Sequence, residues 1–99
     1  MLHSKKIKEK YFKQVIDNLK PYEIRLNDCN YKADDYIALN EIDKEGNFTG
    51  RFTVGKIRNV FEYPEYLKEG YVILTIMPRT LTISNNGFMI YGLKEVIEQ

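Results

Sequence analysis

"KPYEIRLND", Lys20 to Asp28, is the stretch on which the reading of this chain turns. Between Pro21 and the Asx-rich run "NDCN" it alternates apolar and polar residues, the two-residue period of a strand. On such a strand Tyr22, Ile24 and Leu26 share one face, and Glu23, Arg25 and Asn27 share the other. An acid, a base and an amide in a row beneath Lys20 form either a binding site or a solvated sheet surface. Exposed ion pairs of the second kind are worth only ~0–1 kcal/mol each.

Upstream, Ile7, Tyr11, Phe12, Val15, Ile16 and Leu19 recur at steps of three and four, which predicts an amphipathic helix over about 8–18. Asn18 suits its left-handed end and Pro21 blocks continuation. Residues 2–7 read as a short edge strand or a lead-in to that helix. Downstream, "YIALNEI" (36–42) is a second strand, and "DKEGN" with Gly46 is a hairpin loop. "FTGRFTVGKIRNVFEY" is long and β-rich, with Gly50 and Gly55 marking bulges or bends. "YPEYLKEG" reads as one helical turn between Pro64 and Gly70, and "YVILTIM" as a central strand buried on both faces. Asn86-Gly87 predicts a tail hairpin, and "LKEVIEQ" a closing short helix. Strands outnumber helices and their connections are short. The fold class is therefore α+β, mostly β: a small, mostly antiparallel β-barrel with one main helix packed at its opening.

The 99 residues make one domain with one modest core. No apolar run approaches the roughly 20 residues that span a bilayer, and "MLHSKKIKEK" has no apolar run after its lysines, so neither a membrane anchor nor a signal peptide is expected. A single Cys29 and a single His3 offer neither an internal disulfide nor a metal cluster, so no cofactor or metal is expected and the setting reads as cytoplasmic. Cys29 follows Asp28, whose charge disfavours a thiolate nucleophile. A formal net charge of +1 argues against gripping duplex nucleic acid by charge alone. The charge is nonetheless uneven: Lys5, Lys6, Lys8, Lys10, Lys13 and Lys20 precede an acidic stretch from Glu23 to Glu45.

Four further pieces stand in order around "KPYEIRLND". They are the H-x-x-K-I-x-x-x-Y-F-x-x-V string from His3 to Val15, Tyr31 to Asp35, "FTGR" (48–51) and "LKEGYVIL" (67–74), with the K-x-Y-E-I-R-x-N-D core itself between them. Over about 3–77 this pattern resembles the ASCH domains of the PUA-like superfamily, closest to a group of small bacterial and phage proteins. The resemblance implies a PUA/ASCH-like barrel with its helix beside a cleft, in a superfamily associated with RNA; the hairpin and helix extension expected at 78–99 lies beyond it. It implies that Lys20, Glu23, Arg25, Asn27 and Asp28 line the cleft, with Lys6, His3 and Arg51 as companions. Three positions depart from the pattern: Asn18 and Asp34 stand where glycine is usual, and Cys29 where arginine is common.

Three functions compete. The first is a module binding single-stranded RNA or another nucleotide-like ligand, with bases stacked on aromatics and cations on phosphate. The second is an amidohydrolase acting on acetylated cytidine, as some small ASCH proteins resemble. Lys20 and Glu23 are its catalytic candidates, but Glu23 stands where such enzymes have threonine, and the second carboxylate would come from Glu62 or Glu69. Ribonuclease chemistry has no pair of histidines here. The third is a phage or mobile-element factor that engages a protein, with residues 78–99 available for a homodimer contact.

Overall fold

The computed structural model describes residues 1–17 and 19–77, together with the backbone of 81–84. Among these residues the order is β1 (Leu2–Lys8), α1 (Glu9–Ile16), β2 (Tyr22–Leu26), β3 (Tyr36–Ile42), β4 (Phe48–Phe61), β5 (Tyr71–Ile76) and β6 (Leu81–Ser84). The expected tail hairpin and closing helix, Asn18, and a homodimer contact through 78–99 lie outside the described side chains.

The strands form a mostly antiparallel sheet in the order β1-β3-β4-β5-β2, with β6 also paired to β4. Two features differ from a closed antiparallel barrel. β1 runs parallel to β3, with His3 opposite Ile37, and among the described residues β1 and β2 are the ends of the strand order. The parallel pair follows from the connection: α1 and β2 lie between β1 and β3, which is long enough to return the chain in the same direction. β4 carries the curvature. Its register shifts opposite Asn40–Ile42, where Gly50 takes φ +90°, and again between Ile57 and Asn59. Gly55 is no bulge. A Cβ there would lie 2.4 Å from Ile76 Cγ2, so the glycine serves the close approach of β5.

α1 is shorter than its apolar stripe suggests, because the first part of that stripe belongs to β1. Its buried face is Phe12 and Val15, which join Ile7, Tyr31, Ile37, Leu39, Ile57, Val72 and Leu74 in the core. Asp43 organises the β3–β4 hairpin: its Oδ1 accepts from the N–H groups of Glu45 and Asn47, and Gly46 supplies φ +87°. The 62–70 segment holds the single helical turn expected after Pro64, with Tyr66 and Leu67 N–H both donating to Tyr63 O, and it does not continue into a helix.

β5 is not buried on both faces. Val72 and Leu74 point into the core while Tyr71 is 36% exposed, as on an antiparallel sheet with one solvated side. β2 inverts the usual sense altogether. Glu23 is buried and Arg25 half-buried, whereas Tyr22, Ile24 and Leu26 are exposed. No helix among the described residues is long and apolar enough to cross a membrane.

Candidate functional site

The inversion of β2 builds the site. Glu23 sits opposite Leu74 and Arg25 opposite Val72, so both polar side chains enter the interior beside core residues. A carboxylate taken out of water needs partners for both oxygens. Glu23 has them: Lys20 Nζ donates to Oε1, and Arg25 Nε donates to Oε2 at 3.0 Å. Lys20 Nζ also donates to Tyr22 O (3.1 Å), which fixes the ammonium at the corner between α1 and β2. Its charge lies between two rings, 5.8 Å from the Tyr11 centroid and 5.3 Å from that of Tyr22.

Arg25 does a second task. Its Nη2 donates to Lys6 O (2.8 Å), reaching from edge strand β2 to edge strand β1. Only a planar fork can hold a carboxylate with one nitrogen and a carbonyl with another. Lys5 Nζ crosses the same seam to Asp28 Oδ1 (3.3 Å). The Lys5 ammonium holds the Asp28 carboxyl below its usual range.

The seam is not filled. A cleft of about 460 Å³ opens there, lined by Lys6, Lys8, Tyr11, Lys20, Tyr22, Glu23 and Arg25 along with Ile7 and Ile24. Four cationic residues thus line the cleft with one carboxylate, which Lys20 and Arg25 hold, while the Lys6 ammonium lies 5.6 Å from the Phe48 centroid. A second hollow of about 380 Å³, with Thr53, Gly55 and Ile76 in its wall, adjoins the other side of Lys20.

Of the eight positions expected to line a cleft, Lys20, Glu23, Arg25 and Lys6 come together; the other four do not. Asn27 lies past the end of β2, where its Oδ1 accepts from Tyr31 N–H (3.0 Å) and its own N–H donates to Gly70 O (2.8 Å). Asp28 is exposed on the surface beside Lys5. His3 is buried, its Nε2 donating to Asp35 Oδ2 (2.8 Å) and its ring edge-on to Tyr31 at 4.8 Å. That bond holds the Asp35 carboxyl below its ordinary range. Arg51 stacks over Phe12, 5.0 Å from its centroid, and approaches buried Glu41 at 3.7 Å. These four hold turns, strand ends and the helix face in place.

Glu62 and Glu69 border a separate hollow with Asn27 and Tyr71, away from Lys20. Tyr11 and Tyr22, with Lys8, are the cleft residues of polar or aromatic character that sequence reasoning missed. For the two tyrosines a cue existed: both stand on the elements that flank Lys20, one on the helix and one on the strand. Among the described residues no three His, Cys, Asp or Glu side chains converge as a metal site. The free thiol of Cys29 packs half-buried against the core near the Tyr31 hydroxyl, which burial pushes above its usual range.

Asp34, where the resembled pattern has glycine, takes φ +75°. A glycine-type backbone is therefore retained there by a residue that tolerates it.

The chain is 32% identical over 98 residues to an uncharacterised 12.9 kDa protein in the GpA 3′ region of Escherichia phage P2. The match covers 94% of this chain and 88% of that one. Residues 2–76, which carry β1, α1, β2 and the whole cleft between them, match the family described as domain of unknown function (DUF3850), and the chain belongs to that family.

Proposed function

We propose that the β1–β2 cleft binds a nucleotide-type ligand, with single-stranded RNA the ligand class to test first. One observation carries the reading: four cationic residues and two tyrosines line an opening of about 460 Å³ that holds a single buried carboxylate, doubly held by Lys20 and Arg25. Lys6, Lys8, Lys20 and Arg25 suit phosphate oxygens. Tyr11 and Tyr22, 38% and 41% exposed, offer ring faces to a base. Glu23 accepts from the exocyclic amino group of a base whenever a phosphate draws Lys20 away from it. The volume lies within the roughly 300–1,000 Å³ of ordinary ligand pockets. On this reading the domain is an ASCH/PUA-like barrel whose last seam is tied by side chains in place of a strand ladder. The hydrolase alternative has less support, because Glu62 and Glu69 border another hollow and the cleft lining holds one carboxylate.

Amide NMR spectra recorded during titration with a short single-stranded RNA, then with cytidine and acetylated cytidine, test this. Shifts grouped at residues 6–11 and 20–25, lost in Lys20→Met, are expected with RNA. New nucleoside peaks growing with time would favour the hydrolase. Unchanged spectra with every ligand would overturn the binding reading.

A further inference from the structure

The outer face of the β4–β5–β2 sheet is apolar in rows. Register places Ile24 beside Ile73 and Ile73 beside Phe61, with Leu26 beside Tyr71 in the next row and Tyr22 beside Thr75 in the row before. Tyr22, Ile24, Leu26, Phe61, Tyr63 and Tyr71 are each 36–50% exposed, while Glu23, Val72 and Leu74 between them are 3% exposed or less. Tyr63 extends the face by stacking on Phe61 at 5.7 Å. An aromatic side chain covers about 150–250 Å², so six large residues this open present on the order of 500 Å² of apolar surface. Faces of that size on soluble chains mark interaction sites.

Charge is ordered along the same strands. Beyond the Leu26–Tyr71 end lies the 62–70 loop, with Glu62, Glu65 and Glu69 exposed and Lys68 the single cation among them. Beyond the Tyr22–Thr75 end lie Lys56, whose carbonyl accepts from Met77 N–H and whose Nζ lies 3.6 Å from Asp34 Oδ1, and exposed Arg58 at the β4 bulge, which also borders the hollow beside Lys20. The patch is acidic at one end, carries Arg58 and the exposed Lys56–Asp34 pair at the other, and is apolar between. A half-turn about an axis through the Ile24–Ile73–Phe61 row brings each end of such a surface over its opposite.

We infer that this face is the contact between two copies of the chain, joined by a two-fold axis at that row. In such an isologous contact the apolar rows cover one another and the acidic loop meets Lys56 and Arg58 twice. With its charged ends added to the apolar rows, the face approaches the roughly 800 Å² per partner of a standard interface. Tyr22 and Ile24 belong both to this face and to the cleft lining, so variants at Lys56, Arg58, Glu62 and Glu65, which lie outside that lining, separate the contact from ligand binding.

Light scattering of the full chain across a concentration series is expected to show a monomer–dimer equilibrium. Lys56→Glu combined with Arg58→Glu sets acid against acid, and Glu62→Lys combined with Glu65→Lys sets base against base. Each double variant alone is expected to dimerise at least tenfold more weakly than the parent chain. An equal mixture of the two restores both contacts and is expected to regain the dimer mass. In the parent chain, amide signals of residues 22–26 and 71–75 are expected to move with concentration while those of Ile37 and Leu39 stay fixed. A monomer at every concentration would overturn the inference. So would variants that dimerise as well as the parent, which would place the contact elsewhere, or a mixture that stays monomeric.

Discussion

Glu23 and Asp35 are two carboxylates with basic partners, and they differ in what lies beyond those partners. Asp35 is tied to His3, a side chain only 3% exposed, packed against Tyr31. The same Oδ2 also accepts from the Lys32 N–H at 3.3 Å, and Oδ1 accepts from the Met1 ammonium at 3.2 Å. Every group there is used to fasten the start of β1 to the turn before β3. Glu23 is held just as fully, by Lys20 and Arg25, yet its partners face a cleft with further cations and two tyrosines on the rim. A satisfied buried ion pair is therefore no sign of function by itself. Surplus charge and an opening beside the pair are what separate a site from a fastening.

The largest expected effect breaks the Glu23 side of this comparison. Glu23→Gln leaves Lys20 and Arg25, 15% and 19% exposed, facing a neutral amide. Unfolding in urea is expected to show a loss of about 3 kcal/mol, the range for removing one partner from a buried pair. A loss under about 0.5 kcal/mol, the size of an exposed pair, would mean the cluster is solvated after all.

His3→Gln comes next, at about 2 kcal/mol, the cost of leaving a buried polar group poorly paired. It also changes the acid limb. The Asp35 carboxyl is depressed in the folded chain, chiefly by the His3 hydrogen bond. A group depressed by folding adds stability above its unfolded pKa, and that stability is lost as pH falls through the folded value. Stability of the parent chain should thus fall below about pH 4, the unfolded aspartate range, and fall less steeply in His3→Gln. Equal slopes in the two chains would detach Asp35 from His3.

Arg25→Lys keeps the charge but loses the fork that joins Glu23 to Lys6 O. About 1 kcal/mol is expected, the net worth of one hydrogen bond, along with faster hydrogen exchange in the first half of β2. Unaltered exchange there would show that Arg25 does not hold the β1–β2 seam. The smallest effect belongs to the exposed end of that seam. In Lys5→Met, the Asp28 carboxyl, now depressed mainly by Lys5, should titrate closer to its ordinary value by NMR, with RNA-induced shifts in the cleft unaffected.

Much of the fold was legible in short-range pattern. The bounds of β2 follow from alternation and those of β3 from its β-prone run, the β3–β4 hairpin from Asp43 and Gly46, and the bulge at Gly50 from a glycine inside a β-rich run. Less was legible of the site. Lys20, Glu23 and Arg25 were recognisable as a unit, because their spacing puts them on one face and at one corner. Asn27 continues the same alternation on paper, but the strand ends at Leu26 and the side chain turns to cap Tyr31 N–H. His3 and Arg51 depend on contacts to Asp35 and to Phe12 and Glu41, each at least 10 positions away, so no local pattern could assign them.

Alternation settles that Glu23 and Arg25 share a face of β2, and helical periodicity settles that Phe12 and Val15 share a face of α1. Those are properties of neighbouring residues and hold wherever the segments end up. Which face of β2 points inward was decided only by assembly. With β5 on one side of it, and Lys20 and the Lys6 carbonyl within reach, the polar face could be neutralised inside and the apolar face left out. Period two distinguishes the faces of a strand; burial is chosen by the partners that each face meets.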